Sequence, residues 1–209
     1  MTTIQSLLKT SLLTLSIALS SQAMAGAKYS AGKYQIDNMH SKVGFEVAHL
    51  VISTVEGQFK AYQGTFDLAP NFKDSKVNAE VDIASIDTGV EKRDGHLKSA
   101  DFFDAAKHPK MNFVSKSISG TPDNFTIKGS LTLKGVTKTV DFKGNYLGTV
   151  KDGWGNTKAA FNAKAKINRK DFGLTWSQAV EAGPVVGDIV TIELNIQGAL
   201  QKPVKQASN

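Results

Sequence analysis

Hydrophobic alternation with a period of two runs along most of this 209-residue chain. In the stretches 42–49 (KVGFEVAH) and 125–133 (FTIKGSLTL), every second residue except His49 is apolar or small, and most residues between are polar. Because successive side chains of a strand point to opposite faces, such stretches predict strands with one apolar face. Similar runs occupy residues 54–61, 76–83, 139–146, 159–167 and 189–196, and shorter strands are expected at 33–36, 64–68 and 111–118.

The polar faces of these predicted strands carry Lys, Asp and Glu, and turn-forming stretches such as 120–124 and 152–156 separate them. A barrel embedded in lipid would place apolar residues on the outside instead. The pattern therefore predicts an all-β fold, an antiparallel barrel or sandwich of about eight strands that turns its apolar face inward.

Small residues are frequent on the predicted inward faces and would leave a solid core underfilled. A flattened sandwich, large residues on facing strands or a bound ligand could each close the gap. An eight-stranded barrel is about the size that holds one small ligand. The residues alone do not decide between a filled core and a ligand cavity. The small inward residues are Gly57, Ala61, Ala79, Gly129, Gly144, Ala159, Ala163 and Ala165.

The first 25 residues have the pattern of a secretory signal peptide. Lys9 precedes a short apolar run at 11–19, and an Ala-x-Ala motif ends at Ala25. The run is too short for a transmembrane helix, and no later apolar run is long enough to span a membrane. We expect cleavage after Ala25, a periplasmic location, and one domain over residues 26–209.

Composition narrows the function classes further. The chain has no cysteine, which excludes disulfides and thiolate metal sites. The net charge of +6 comes from lysines scattered among acids, which is typical of a solvated surface and, with export, argues against a nucleic-acid partner. Neither H-x-x-x-H nor G-x-S-x-G occurs in the sequence. We therefore predict no catalytic residue, no cofactor and no metal site.

Residues 91–110 (EKRDGHLKSADFFDAAKHPK) interrupt the alternation. Asp101 in the position of a helix cap predicts a short helix over 102–107, which Pro109 ends. This helical insert near 94–108 is expected to close one end of the barrel or to line its entrance. Arg93, His96 and Lys98 could together donate to a phosphate, and Arg169 belongs to a second basic group. Solvated charge, or pairing of the two arginines with Asp94 or Asp171, is the alternative that the residues leave open.

Four blocks of the sequence resemble the YceI-like, polyisoprenoid-binding family of bacterial periplasmic proteins. The first block is 40–59, and the second is 93–109, which is similar to the R-D-x-H-L-x-S-x-D-F-F-D pattern of the family. The third is 129–142, and the fourth is 167–176 followed by 187–198. Thr139 and His108 depart from the family pattern, which more often has Pro and an aromatic residue there.

The resemblance implies an extended lipocalin-like antiparallel β-barrel that holds a long isoprenoid chain, such as a polyprenyl phosphate or a quinone tail, as a carrier or buffer. We expect Arg93, His96 and Arg169 to bind the head group. The oligomeric state is left undecided, with a homodimer among the alternatives. Two alternatives remain: an enzyme acting on such a lipid with His96 and Asp94 as an acid–base pair, and a solid-core stress or interaction barrel. The residues expected along the tail are Phe45, Phe59, Leu97, Phe102, Phe103, Phe113, Phe142 and Phe161.

Overall fold

A computed structural model describes residues 29–180 and 183–202, so the predicted signal peptide and its cleavage point lie outside the described residues. Eight antiparallel strands close into a barrel, because the first strand pairs with both the fourth and the last. The prediction of an antiparallel barrel of about eight strands is confirmed. In barrel order, the strands are β1 (Gly32–Ile36), β4 (Tyr62–Leu68), β5 (Lys76–Asp82), β7 (Lys110–Thr121), β8 (Asn124–Leu133), β9 (Val136–Lys151), β10 (Thr157–Asn168) and β13 (Val186–Leu200).

Three further strands lengthen the barrel at one end. Strand β13 is long enough to pair with β1 at residues 198–200 and with β2 (Lys42–His49) at residues 186–195. β2 pairs with β3 (Ser53–Phe59), and β3 pairs with the short β6 (Ile86–Asp87). A separate hairpin of β11 (Ala179–Val180) and β12 (Gly183–Pro184) precedes β13.

The predicted alternation is realised in the long strands. Along β8 and β10, every residue predicted to face inward is buried, from Phe125 to Leu133 and from Ala159 to Ile167. Ala61 is an exception, because it is exposed. It lies in the two-residue break between β3 and β4, where the alternation changes phase and the next inward residue is Tyr62. The prediction that Ala61 faces inward was therefore wrong.

Aromatic rings fill the space above several inward glycines. A Cβ atom at Gly129 would overlap the ring of Phe113, and one at Gly144 would overlap Phe125. Gly57 lies under the ring of Phe45 in the same way. At these positions, close packing is achieved by large residues on neighbouring strands, which was one of the open explanations for the small residues.

The segment that interrupts the alternation contains one helix, α1 (Glu91–Lys98), and continues as turns to residue 109. We call residues 91–109 the lid segment. The helix predicted over 102–107 does not form: Asp104 has a φ of 49°, in the left-handed region, and Phe102 is buried. Tertiary burial of the Phe side chains overrides the local helix signal. In the described residues, no helix is long and apolar enough to cross a membrane.

The two ends of the barrel differ. One end, the lid end, carries the end of β10, the start of β13 and the tip of the β2–β3 hairpin, as the pairing of Val186 with His49 shows. At the opposite end, the β9–β10 hairpin turns at 152–156, and aromatic side chains fill the interior. There, Tyr34 stacks on Phe66 with ring centroids 5.0 Å apart, and Phe66 meets Phe161 edge to face.

Candidate functional site

Two apolar cavities lie in line inside the barrel. The upper cavity, of about 90 Å³, is at the lid end, and its wall contains Leu97, Phe102 and Phe103 of the lid segment together with β2 and β13. The lower cavity, of about 80 Å³, lies in the middle of the barrel between β5, β7, β8, β10 and β13. Every residue predicted to line the tail site borders one of them: Phe45, Phe59, Leu97, Phe102 and Phe103 the upper, and Phe113, Phe142 and Phe161 the lower.

A constriction formed by Val43, Met111 and Ile192 separates the two cavities, since these three residues line both. Each cavity is smaller than the roughly 150 Å³ that accommodates a benzene molecule in an engineered protein core. A long chain therefore fits only when the walls move apart. Met111 is the most adaptable member of the constriction because its side chain is unbranched and flexible.

Small inward residues also contribute directly to the lower cavity. Ala79 and Ala163 line its wall, whereas aromatic rings cover the inward glycines Gly129 and Gly144 on β8 and β9. Polar groups are rare on both walls, where Arg169 in the upper cavity and Tyr62 in the lower are the polar side chains. Such walls can accept an apolar chain but offer it few hydrogen bonds.

Two charged residues near the start of the lid segment, Arg93 and Asp94, bind Thr88 and do not line a cavity. The hydroxyl of Thr88 donates to Asp94 Oδ1 at 2.6 Å, and the backbone N–H of Thr88 donates to the same oxygen at 3.0 Å. Arg93 Nε donates to the Thr88 hydroxyl at 2.7 Å, and its Nη2 donates to the Thr88 carbonyl at 2.8 Å. Arg93 and Asp94 thus tie α1 to the end of β6, and neither lines a cavity.

His96 joins the lid segment to the loop after β10. Its Nε2 lies 2.9 Å from Asp101 Oδ2, and its ring meets Trp176 and Phe102 edge to face, both with centroids 5.1 Å apart. The hydrogen bonds of His96 and Asp94 therefore go to different partners, Asp101 and Thr88. This geometry does not support the acid–base pair that an enzyme mechanism would need.

Arg169 is the head-group candidate that reaches a cavity, and it is only 4% exposed. Its guanidinium donates to the carbonyls of Gly187 at 2.9 Å, Leu174 at 2.5 Å and Trp176 at 2.8 Å. Longer contacts of 3.5 Å to the Val186 carbonyl and 3.3 Å to Asp188 Oδ1 engage Nη2. Burial lowers the pKa of Arg169, and the charge of Asp188 opposes that shift. Because a guanidinium has five N–H donors, the protein itself occupies all of them.

The structure thus separates the three head-group candidates, with Arg93 at the base of α1, His96 at its end and Arg169 at the cavity wall. Sequence reasoning missed the backbone carbonyls that Arg169 holds and the constriction at Met111, because neither leaves a pattern in the sequence. It also missed Lys134, whose Nζ donates to the carbonyls of Ala100 and Gly173 and ties the lid segment to the β8–β9 turn. Within the described ranges, no cluster of three metal-ligating side chains occurs.

The fold and the site together define a closed, lipocalin-like antiparallel barrel with an apolar interior divided into two cavities. Residues 34–198 match the YceI-like domain, and the chain belongs to that family. The resemblance seen in the four sequence blocks is confirmed.

Relatives match more than four fifths of the chain. A UPF0312 protein of Pectobacterium atrosepticum is 36% identical over 198 residues, which is 94% of this chain and 100% of the relative. Protein YceI of Salmonella newport is 38% identical over 175 residues, which is 82% of this chain and 89% of the relative.

Solved structures share the barrel. The Campylobacter jejuni YCEI protein has a TM-score of 0.65 at 30% identity and covers 84% of this chain and 99% of its own. BcnA of Burkholderia cenocepacia has a TM-score of 0.67 at 24% identity, covering 78% of this chain and 98% of its own. A polyisoprenoid binding domain from Saccharophagus degradans, implicated in plant cell wall breakdown, has a TM-score of 0.60 at 14% identity, covering 82% of this chain and 100% of its own.

Proposed function

We propose that this protein binds the chain of a long isoprenoid lipid, such as a polyprenyl phosphate or a quinone tail, inside the barrel. The observation that carries the proposal is the presence of two apolar cavities in one barrel, with Val43, Met111 and Ile192 lining both. Burying each CH₂ group contributes about 0.8 kcal/mol, so a long chain binds tightly without strong polar contacts. The name of the Saccharophagus degradans domain, which has the same fold, agrees with this ligand class.

The eight apolar residues named from the sequence form the proposed tail site. The tail would enter the upper cavity beneath the lid segment and reach the lower cavity past Met111. The head group would then stay at the lid end, where Arg93, His96 and Arg169 are the proposed contacts. Since the N–H donors of Arg169 are already bound, a phosphate there would have to replace a backbone carbonyl.

The test of this function is the lipid content of the purified protein. The full chain is expressed in bacteria, purified without detergent and extracted with organic solvent, and the extract is analysed by mass spectrometry. We expect a prenyl species close to one per protein. Polyprenol, polyprenyl phosphate and quinone of matched chain length, added to delipidated protein, identify the preferred head group. No extractable lipid and no binding of any of the three would eliminate the proposal.

A second candidate, a barrel that acts through its outer surface, is favoured by the filling of the glycine positions with Phe rings and by the small cavity volumes. The same extraction separates the two functions, because a filled barrel retains no lipid.

We further propose that the protein is exported to the periplasm and works there as a carrier or buffer. The support is the sequence of residues 1–25. N-terminal sequencing of the protein from a periplasmic extract should begin at Gly26, whereas a chain that keeps Met1 and stays in the cytoplasm would contradict export.

A further inference from the structure

The tip of the β2–β3 hairpin has an unusual composition for an exposed turn. Its three residues are Leu50, Val51 and Ile52, and Val51 and Ile52 are 63% and 87% exposed. Residues 49–54 include no Lys, Arg, Asp or Glu, although 21% of the whole chain is charged. Single exposed apolar residues are common on protein surfaces, but an uncharged apolar hairpin tip marks an interaction surface.

The backbone of this turn adds an independent observation. Leu50 and Val51 have φ angles of 52° and 66°, both in the left-handed region. Tight hairpins usually place Asn and Gly there, and a β-branched residue such as Val is rare in that region. The turn therefore carries backbone strain while presenting apolar side chains, and such strain is found preferentially at functional sites.

A neighbouring hairpin extends the same surface. The backbone N–H of Leu50 donates to the Val185 carbonyl at 3.0 Å, which joins the β2–β3 tip to the β11–β12 hairpin. Val180 of that hairpin is also exposed. We call Val51, Ile52 and Val180 the apolar tip.

The apolar tip lies at the lid end, next to the upper cavity. Val47 lines the upper cavity and is only a few residues before the hairpin turn, and Val186, which pairs with His49, lines it as well. The half-buried valines of the cavity wall thus lie within a few residues of the exposed tip. At the opposite end, the interior is filled by Tyr34, Phe66 and Phe161.

We infer that the apolar tip docks this end of the barrel onto the surface of a lipid bilayer, so that an isoprenoid chain passes between the bilayer and the upper cavity without crossing water. The inference rests on the proposed function for its cargo, but docking itself needs only the exposed surface. Apolar side chains enter the boundary between head groups and acyl chains favourably, and the hairpin tip 49–54, which has no Lys, Arg, Asp or Glu, suits a bilayer of neutral lipids.

Vesicles of phosphatidylcholine and phosphatidylethanolamine provide the first test. Flotation with these vesicles measures docking, and the rate at which a fluorescent polyprenol moves from them to the protein measures transfer. For Ile52→Ser, we expect both to fall, with transfer slower by about tenfold. Equilibrium binding of the same polyprenol added from ethanol should not change, because Ile52 lines neither cavity.

A second variant separates docking from folding. The double substitution Leu50→Asn with Val51→Gly places residues suited to left-handed φ in the turn, so the midpoint of thermal unfolding should rise by a few degrees. Vesicle flotation should nevertheless fall. If Leu50 and Val51 served only the fold, the double substitution would leave vesicle flotation unchanged.

Trp154→Ser is the matched control, because Trp154 is 88% exposed on the β9–β10 hairpin at the opposite end. Flotation lost with Trp154→Ser but kept with Ile52→Ser would overturn the inference. The inference would also be overturned if sedimentation showed that the apolar tip joins two copies of the chain and flotation showed no binding of the protein to vesicles. Failure of the parent protein to bind polyprenol from ethanol contradicts the proposed function, whereas docking is still decided by flotation alone.

Discussion

The ring of Phe113 lies over Gly129, its diagonal neighbour on the adjacent strand, in the space that a Cβ atom at Gly129 would need. Phe113 also lines the lower cavity, so the glycine sets how far this ring can withdraw into the barrel wall. Packing of the wall and volume of the cavity are therefore coupled at this pair.

Gly129→Ala should destabilise the barrel because the added methyl group meets the Phe113 ring and the Val114 carbonyl. Overpacking of this kind costs about 1–3 kcal/mol of unfolding free energy. Urea unfolding measures the loss. Gly153→Ala is the control, since no atom lies within 4 Å of a Cβ added there, and it should change stability little. Equal effects of the two substitutions would show that the contact with Phe113 is unimportant.

Met111→Phe should shorten the isoprenoid chain that the barrel accepts. The larger, stiffer ring would block the passage between the two cavities at Val43 and Ile192. Binding of a prenol that fills only the upper cavity should be kept, while long polyprenols should bind more weakly, as measured by fluorescence titration over a length series. Val114→Phe on the outer face of the same strand is the control. Loss of affinity that is independent of chain length would contradict a passage at Met111.

Thr88→Val should loosen the lid segment. The substitution removes the hydroxyl that donates to Asp94 and accepts from Arg93. A buried carboxylate that loses a partner costs about 1–3 kcal/mol. We expect faster hydrogen exchange in α1 and faster lipid release. Thr137→Val, which removes an exposed hydroxyl pair with Thr132, is the control. Unchanged hydrogen exchange in α1 would show that the Thr88 hydroxyl does not hold the lid segment in place.

Arg169→Lys should destabilise the lid end although it keeps the positive charge. An ammonium group cannot reach the carbonyls of Gly187, Leu174 and Trp176 together, so buried acceptors lose their partners. We expect a loss of about 2–4 kcal/mol in urea unfolding. Lys170→Ala removes the exposed pair with Asp188 and should cost at most about 1 kcal/mol. An Arg169→Lys protein as stable as the parent would contradict this structural role; if it also binds polyprenol but not polyprenyl phosphate, the proposed head-group contact is the sole role of Arg169.

Acid should lower the stability of the barrel through Asp37, which directly follows β1. Burial raises the pKa of this carboxyl, but hydrogen bonds from Lys158 and His40, each 3.0 Å away, outweigh it and lower the pKa from 3.8 to about 2. The contribution of Asp37, about 1–2 kcal/mol, is therefore present above pH 3.8 and is lost as the pH falls towards 2.

The measurement is the pH dependence of unfolding free energy for Asp37→Asn against the parent. The difference between them should be constant above pH 5 and should shrink below pH 3.8. Asp141→Asn, at an exposed carboxylate paired with Lys128, should give a nearly flat difference. A difference for Asp37→Asn that does not change with pH would show that ionisation of Asp37 is not the source.

Much of the barrel was predictable because side-chain alternation is local. Each strand shows its buried face in its own residues, as β8 does from Phe125 to Leu133, and the four blocks of the sequence identified the family. The break at Ala61 was not predictable, because the change of phase depends on how the chain passes from β3 into β4, which pair with different neighbouring strands.

The sequence by itself determined the apolar and polar faces, the aromatic residues of the interior and the position of the lid segment. Only the tertiary structure decided what the charged residues do. Arg93 binds Thr88 a few residues away, but Arg169 binds carbonyls that β13 and the loop after β10 bring around it. The partners of the buried Arg169 guanidinium are mostly backbone carbonyls. Every residue has a backbone carbonyl, so the sequence alone does not show which ones Arg169 binds.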